Sequence, residues 1–347
     1  MNRHALALRG ASLPVHPAFG ETEIIEIMMQ FFEAETLNRN TRRAYERAAA
    51  DFFHFATSRC GIARLDAITP IHVSGWLDDM TARRLSVATV KQRLAALRML
   101  FNALVRAQAL RINPVAVIKG PRYSVTKGKT PILSGDETAQ LMEAIDTSTL
   151  IGLRDRALIS TMAYTFARIG SVLALECHHV FRQQRRLWLR LSEKGGKSHD
   201  VPCHHHLEGA LAAWIEAANL DLASEVPLFQ SFIWDGTRPS AAADPQVTGS
   251  HDEANHRRTG ERILSGKPLG QAMAWEMIQR RAKAAGIETH VCNHTFRATG
   301  ITTYLKNGGT IERAANIAGH ASTRTTQLYD RRSDEVTLDE IERIRFA

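Results

Sequence analysis

The last quarter of the chain carries two histidines, an arginine and a tyrosine at short intervals, namely His294, Arg297, His320 and Tyr329. A guanidinium offers a planar fork of donors that fits phosphate oxygens, and a phenolic oxygen can attack phosphorus as a nucleophile. Together these side chains could bind one phosphate and break its ester bond. We therefore predict a site that cleaves a nucleic-acid backbone with a tyrosine, and not water, as the nucleophile.

Each member of this group also has an ordinary structural explanation. His294 and Arg297 are three positions apart and would share one face of a helix, whose N-terminus would attract a phosphate, but His-x-x-Arg is common by chance. Gly319 is typical of a helix C-terminus and would leave His320 in a loop that faces a cleft. Tyr329 falls near the end of the next predicted helix, where a core tyrosine often has its hydroxyl at the rim.

Two earlier positions carry cations that could join the site. Arg168 follows an apolar helix and requires an anion, for which a carboxylate such as Glu176 would serve as well as a phosphate. Lys194 and Lys197 flank two glycines in a predicted hairpin turn. Such a turn is usually only solvated, but it could also bring one ammonium to a leaving oxygen as a general acid.

The composition is consistent with a partner that is a polyanion. The 347 residues include 44 lysines and arginines against 36 acids, for a net charge of +8, which favours nucleic acid only moderately. Four cysteines without a CxxC pair argue against a disulfide scaffold and indicate a reducing cytosol. No apolar run is long enough to cross a membrane, so we expect a cytoplasmic protein.

The N-terminal part of the chain predicts a small helical domain. Residues 1–20 form an extension, and residues 21–114 predict four helices from their apolar periodicity. The first covers about 21–36, the second starts near Asn40-Thr41, and the third starts at Thr69-Pro70. The fourth starts after Ser86 and ends at Asn113-Pro114. Residues 115–132 lose that periodicity and become basic, which indicates a linker between two domains.

Residues 133–347 predict a mainly α, mixed α+β domain. It begins at a Ser-x-x-Glu capping box at Ser134 and contains a short antiparallel hairpin over 186–202. The polar interval 234–266 has almost no apolar period and predicts a long surface insertion, partly disordered. A final helix is expected over 337–346, with an apolar stripe formed by Leu338, Ile341, Ile344 and Phe346.

Positive charge collects on the second and fourth predicted helices and in the linker. Most basic helix faces are merely solvated, but polar side chains interleave with these, and such residues add hydrogen bonds to phosphates and base edges. The predicted DNA contacts are Arg39, Arg42, Arg43, Arg47, Lys91, Arg93, Arg98, Lys127 and Lys129.

A metal site is not expected. His178, His179 and the Cys-His-His-His run at 203–206 contain ligand atoms, but their spacing matches no common zinc pattern. We predict neither a metal nor a cofactor, because fixed cations could do the work of a metal at the phosphate.

The order and spacing of the candidate residues resemble the signature of the tyrosine recombinases, also called phage integrases. That signature runs from an arginine, through a hairpin lysine, His-x-x-Arg and Gly-His, to a tyrosine. The residues that match it are Arg168, Lys194, His294, Arg297, His320 and Tyr329. The resemblance covers about residues 21–345 and is most specific from Gly319 to Tyr329. Ser171 stands where the family usually has glutamate, and Ala167 where leucine is more usual.

The resemblance implies a four-helix SAM-like core-binding domain and an integrase catalytic domain with a small antiparallel sheet. It also implies a site-specific DNA recombinase. Tyr329 would attack a DNA phosphodiester, form a 3′-phosphotyrosyl link and release a 5′-hydroxyl, without ATP, because the link conserves the energy of the broken bond.

Roles for the other residues follow from the same resemblance. Arg168, Arg297 and His320 would stabilise the charge of the pentavalent phosphate. Lys194 would protonate the leaving 5′ oxygen, and His294 would assist removal of the tyrosine proton.

The implied partner is double-stranded DNA with paired half-sites, bound by a tetramer, in integration, excision or resolution of a mobile element. The C-terminal stripe would then pack on a neighbouring protomer, although packing on its own domain explains it too. Two other functions stay open: an accessory DNA-binding protein of this fold that does not cleave, and a relaxing enzyme similar to type IB topoisomerases.

Overall fold

The structure, a computed structural model, divides into two compact units, residues 1–124 and residues 125–347. The residues that it describes are 28, 30–31, 39–122, 128–192, 196–234, 262–331 and 341.

The N-terminal unit is a bundle of helices that begin where the sequence predicts. They are α1 (Arg39–Ser58), α2 (Pro70–Ala82) and α3 (Val87–Arg106). Thr69 caps α2 ahead of the proline, and Ser86 caps α3 by accepting from the Thr89 N–H. Of the helix predicted over 21–36, the described residues Met28, Gln30 and Phe31 are helical.

The predicted end of the last helix of this unit is wrong. Helix α3 ends at Arg106, well before Asn113. Gln108 adopts a left-handed backbone with φ of 60°, and the Ala109 N–H closes the helix on the Leu104 carbonyl. Asn113 instead ties the following turn, because its amide donates to the Arg98 carbonyl and its oxygen accepts from the Val115 N–H.

Aromatic rings form the centre of the N-terminal core. Phe52 of α1 packs edge-on against Trp76 of α2 at 5.3 Å and against Phe101 of α3 at 5.9 Å, so one ring joins three helices. Beside them, the Asp51 carboxylate accepts hydrogen bonds from the Trp76 indole at 2.8 Å and from two arginines, Arg83 and Arg93, each at 2.7 Å.

The C-terminal unit begins with three helices and a sheet. The helices are α4 (Gly135–Glu143), α5 (Leu150–Thr165) and α6 (Ile169–Leu173). The predicted capping box is present, since Ser134 and Glu137 bond each other's backbone N–H. The sheet has the antiparallel order β1 (Val180–Gln183), β2 (Arg186–Ser192) and β3 (Ser198–Pro202). The hairpin over 186–202 is confirmed, whereas β1 was not foreseen.

A second hairpin corrects the limits of the predicted insertion. Strand β4 (Gln230–Trp234) pairs antiparallel with β5 (Arg262–Pro268), with Ile233 opposite Ile263. The two ends of the interval 234–266 are therefore regular strands, and residues 235–261 lie outside the described part. Strand β5 does not alternate regularly between exposed and half-buried residues, so no period of two along its sequence predicts a strand.

The remaining helices include two that pack on α5, which is buried along much of its length. These remaining helices are α7 (His205–Ala217), α8 (Gln271–Ala284), α9 (Asn293–Lys306), α10 (Ile311–Ile317) and α11 (Thr323–Gln327). Asp155 of α5 is fully buried and accepts from Arg154 at 2.7 Å and from Arg281 of α8 at 2.8 Å, which fixes α8 against the core. Of the final helix predicted over 337–346, the structure describes only Ile341, as helical. Within the described ranges, no helix combines the length and apolar character that crossing a membrane requires.

Replacing Asp51 with alanine should destabilise the N-terminal unit by about 2 kcal/mol, because it leaves the Trp76 indole and two guanidinium groups without their shared acceptor. Amide hydrogen exchange of α1 to α3 should accelerate about 30-fold. The control is Asp78→Ala, at an exposed position of α2, which should exchange like the wild type. Equal exchange in both variants would show that the Asp51 network contributes nothing to stability.

Candidate active site

The chain reverses sharply where the first candidate arginine lies. Helix α5 ends at Thr165, and Phe166 adopts a left-handed backbone with φ of 55° and ψ of 20°. Arg168 then becomes the N-cap residue of α6. This turn places Arg168 at the end of a buried helix, as predicted, and directs the Phe166 carbonyl toward α9.

Helix α9 carries the second arginine into the interior. Arg297 is only 1% exposed and donates to the carbonyls of Phe166 and, at 2.7 Å, Ala318. Another of its N–H groups lies 2.5 Å from the Nε2 atom of His320. Three contacts from two other segments therefore hold one guanidinium in a fixed orientation.

Close packing of α9 on α5 depends on a glycine. A Cβ atom at Gly300 would lie 2.2 Å from the Ala163 carbonyl oxygen and 2.7 Å from the Phe166 ring. No side chain fits there, so Gly300 allows α9 to approach the end of α5 closely enough for Arg297 to reach the Phe166 carbonyl.

His320 lies in the turn between α10 and α11. Gly319 has φ of 60°, and the His320 N–H bonds the Ala315 carbonyl at 2.9 Å, which ends α10 as predicted. The Nδ1 atom of His320 lies 2.8 Å from the hydroxyl of Thr326 in α11. His199 of β3 also bonds the Ile317 carbonyl at 3.1 Å, so the sheet contacts the end of α10.

Tyr329 follows α11 and packs against these cations. Its ring is nearly parallel to that of His320, with centroids 5.8 Å apart. The guanidinium carbon of Arg297 is 5.9 Å from the centre of the tyrosine ring. The Thr302 hydroxyl donates to the Tyr329 carbonyl at 2.7 Å, which fixes the tyrosine backbone on α9.

The first residues of the C-terminal unit hold the same segment from the other side. The Gly128 N–H donates to the Leu328 carbonyl at 3.0 Å, and the Arg331 guanidinium donates to the Gly128 and Thr130 carbonyls. A Cβ atom at Gly128 would lie 2.2 Å from the Leu328 oxygen, so only glycine permits this approach. The Leu328 carbonyl before Tyr329 and the Arg331 side chain after it are thus tied to residues 128–130.

The site is strongly electropositive. Burial, together with the charges of Arg297 and Arg168, lowers the pKa of His320 from 6.5 to about 4. The same causes lower the pKa of His294, which remains accessible at the start of α9. Because the charge of Arg168 acts on both histidines, Arg168 lies within electrostatic reach of the site.

The structure places three of the six predicted catalytic residues, Arg297, His320 and Tyr329, in contact with one another. Arg168 and His294 lie near them along the chain, since Arg168 closely follows Phe166 and His294 lies one helical turn before Arg297. Lys194 lies outside the described residues, between the ends of β2 and β3. Sequence analysis missed the supporting residues Gly128, Gly300, Thr302 and Thr326, since glycine and threonine carry no distinctive signal until their neighbours in space are known.

The predicted DNA contacts differ in their surroundings. Arg93 pairs with Asp51 at 2.7 Å, and Arg98 donates to the Ile118 carbonyl at 2.8 Å, so both hold the N-terminal fold. Arg42 is half-buried. Lys127 and the side chain of Arg39 lie outside the described part. The exposed members are Arg43, Arg47, Lys91 and Lys129.

Three side chains that could bind a metal lie close together. The ligand atoms of Glu176, His178 and His179 lie within 4.8 Å of one another. Three ligands are fewer than a structural zinc site requires, and the Nδ1 atom of His179 already accepts from the Glu176 N–H. The absence of a metal stays a prediction.

Family comparison finds matches over most of the chain. The family described as "Phage integrase family" matches residues 131–335, and "Phage integrase, N-terminal SAM-like domain" matches residues 29–108.

Similar curated proteins include two named tyrosine recombinase XerD. The one from Listeria monocytogenes serotype 4b (strain F2365) is 24% identical over 308 residues, covering 88% of this chain and 93% of that protein. The one from Staphylococcus aureus (strain Mu50 / ATCC 700699) is 24% identical over 307 residues, covering 88% and 92%.

Solved structures share the fold. XerH recombinase bound to palindromic difH substrate aligns with a TM-score of 0.65 at 18% identity, over 98% of this chain and 94% of that one. Lambda integrase (75–356), as a dimer bound to a COC′ core site, aligns with a TM-score of 0.61 at 16% identity, over 91% and 97%. A lambda integrase tetramer bound to a Holliday junction aligns at 0.57 and 15% identity, over 89% and 76%. These likenesses confirm the predicted fold.

Acidification should destabilise the protein through His320. The pKa of this histidine is 6.5 in the unfolded chain and about 4 in the folded protein. The contribution of neutral His320 to the free energy of unfolding is therefore complete above pH 6.5. This contribution, about 3 kcal/mol at most, is lost as the pH falls through about 4.

The urea concentration at the midpoint of unfolding should decrease less between about pH 7 and about pH 5 in His320→Gln than in the wild type. His290→Gln, at an exposed histidine, should follow the wild type. If the His320→Gln midpoint dropped as much as the wild type, the lowered pKa would be excluded.

Proposed function

Since this chain belongs to the phage integrase family, the enzymes that cleave and rejoin DNA strands in site-specific recombination, we propose that Tyr329 is the residue that attacks the DNA. The observation that carries this proposal is the packing of the Tyr329 ring against His320 and beside the buried guanidinium of Arg297. A phosphate that reaches the tyrosine oxygen would also meet these cations.

In the proposed reaction, the deprotonated Tyr329 oxygen forms a bond to phosphorus as the bond to the 5′ oxygen breaks. The products are a 3′-phosphotyrosyl link and a DNA strand that ends in a 5′-hydroxyl. Attack by a 5′-hydroxyl on the same link reverses the step and rejoins strands, with no external energy source. The tyrosine proton passes to His294 or solvent, and Lys194 gives a proton to the leaving oxygen.

The positive charge at the site is set before DNA binds. Arg297 is oriented by the Phe166 and Ala318 carbonyls, so little reorganisation is needed when charge develops on the phosphate oxygens. Arg168 and His320 would complete the set of donors around the pentavalent phosphorus. Fixed donors of this kind stabilise the transition state more than the ground state.

We propose that the N-terminal domain spans residues 21–114, the linker 115–132 and the catalytic domain 133–347. Both domains would bind DNA. The exposed cations Arg43, Arg47 and Lys91 of the N-terminal unit would contact phosphates. Lys129, near the start of the C-terminal unit, is also exposed and would contact a phosphate. The enzyme would act in the reducing cytoplasm, where its cysteines stay free, on the DNA of a mobile element.

Tyr329→Phe should abolish the covalent protein–DNA adduct and leave DNA affinity unchanged. The substrate is a nicked duplex that carries a site selected from random DNA by the protein itself, so that cleavage releases a short fragment and traps the adduct. The matched control is Tyr304→Phe, which removes a hydroxyl from another half-buried tyrosine of the same domain and should still form the adduct. An adduct in Tyr329→Phe would reject the assignment.

Strand exchange requires several active sites around two duplexes, and we propose a tetramer on paired half-sites. The lambda integrase tetramer bound to a Holliday junction, which has the same fold, supports this. A mostly apolar cavity of about 380 Å³ lies between α5 and α9, lined in part by Phe166, Phe296, Tyr304 and Ile317. It would accept the C-terminal stripe of a neighbouring protomer, whose described member Ile341 is 51% exposed.

Ile341→Asp should therefore block the tetramer but not cleavage. Sedimentation of protein–DNA complexes should show no assembly of four protomers, while a single half-site still yields the adduct. Val226→Asp places the same charge on an exposed residue of the same unit and should assemble normally. If Ile341→Asp assembled fully, the C-terminal stripe would not form the interface.

A further inference from the structure

Thr326 is a buried threonine whose hydroxyl contacts His320. It lies in α11, three residues before Tyr329, and is 0% exposed. Its Oγ1 atom is 2.8 Å from the Nδ1 atom of His320. The preceding residue, Thr325, is exposed, so only one of the two adjacent threonines faces the histidine.

The contacts of His320 fix the position of its proton. The guanidinium of Arg297 has donors only, so at 2.5 Å it must donate to the Nε2 atom of His320. A neutral imidazole accepts at one nitrogen and carries its proton on the other. The proton therefore lies on Nδ1, which donates to the Thr326 hydroxyl. The low pKa of His320 is consistent with this neutral form.

A bound phosphate requires the opposite arrangement. Phosphate oxygens are acceptors, so His320 can contact them only through a proton on Nε2. In the neutral ring, the proton must then leave Nδ1, and Nδ1 becomes an acceptor that needs a donor. A backbone carbonyl at that position could only accept, and an N–H group could only donate. A hydroxyl is the partner that can do either, because it rotates to suit.

We propose, on the basis of the function proposed above, that Thr326 is a positioning residue whose hydroxyl changes from acceptor to donor when a phosphate enters the site. The change lets His320 exchange its contact with Arg297 for one with phosphate and keeps both ring nitrogens hydrogen-bonded. The proton leaves Nδ1 and arrives at Nε2 through solvent, so no net charge is created. Burial and β-branching hold the Thr326 side chain in place during the exchange.

Thr326→Val tests this, because it keeps the shape of the side chain and removes the hydroxyl. Single-turnover adduct formation on the nicked duplex should slow roughly 10- to 100-fold, the range for loss of a partner that orients a reacting group, with unchanged DNA affinity. Thr326→Ser should recover most of the rate, and Thr325→Val should match the wild type. Equal rates in Thr326→Val and Thr325→Val would overturn the proposal.

A merely structural threonine would not move the proton of His320. Nitrogen-15 NMR of the histidine ring should show the Nδ1–H form in the free protein and a proton on Nε2 when Tyr329→Phe binds the intact duplex. The same ring form in both states would also overturn the proposal. If the wild type formed no adduct at all, the proposed function would fail instead, and the ring form of the free protein would still test the hydrogen bonds of Thr326.

Discussion

The buried guanidinium of Arg297 is the interaction on which the catalytic unit depends. It joins the end of α5, through the Phe166 carbonyl, to the end of α10, through the Ala318 carbonyl, and it contacts His320. A charge that is 1% exposed is stable only with such partners. Because the partners are mostly backbone atoms, the same contacts that stabilise the fold also set the direction of the positive charge.

Tight backbone approaches surround this charge and set the position of Tyr329. Gly300 allows α9 to meet α5, and Gly128 allows the start of the unit to meet Leu328. Thr302 holds the Tyr329 carbonyl from α9. Neutral groups thus position the tyrosine backbone, while backbone carbonyls hold the Arg297 guanidinium beside it. This division of roles suits a site that must bind an anion without collapsing in its absence.

The N-terminal unit also uses charge for structure, around the half-buried Asp51. The Asp51 carboxylate forms ion pairs with Arg83 and Arg93 beside the aromatic core. Burial tends to raise the pKa of Asp51, but the hydrogen bonds from Arg83 and Trp76 and the charges of Arg93 and Arg83 outweigh it, so the pKa is lowered. The net charge of +8 therefore overstates the cations available for DNA, since some are already neutralised within the fold.

The amino-acid sequence alone determined the helix starts at Thr69, Ser86 and Ser134, because capping is a local interaction. It also predicted the candidate catalytic residues, because residue types such as Arg297 and Tyr329 carry their chemistry in their own side chains. The early end of α3 and the strand β1 depend on local contacts, but these have no distinctive signal in the sequence. The strands β4 and β5 were decided only in three dimensions, since they pair across the interval 235–261. The same holds for Gly128, Gly300 and Thr326. A glycine or a threonine acquires its role from what lies a few ångströms away, and no spacing along the chain records that.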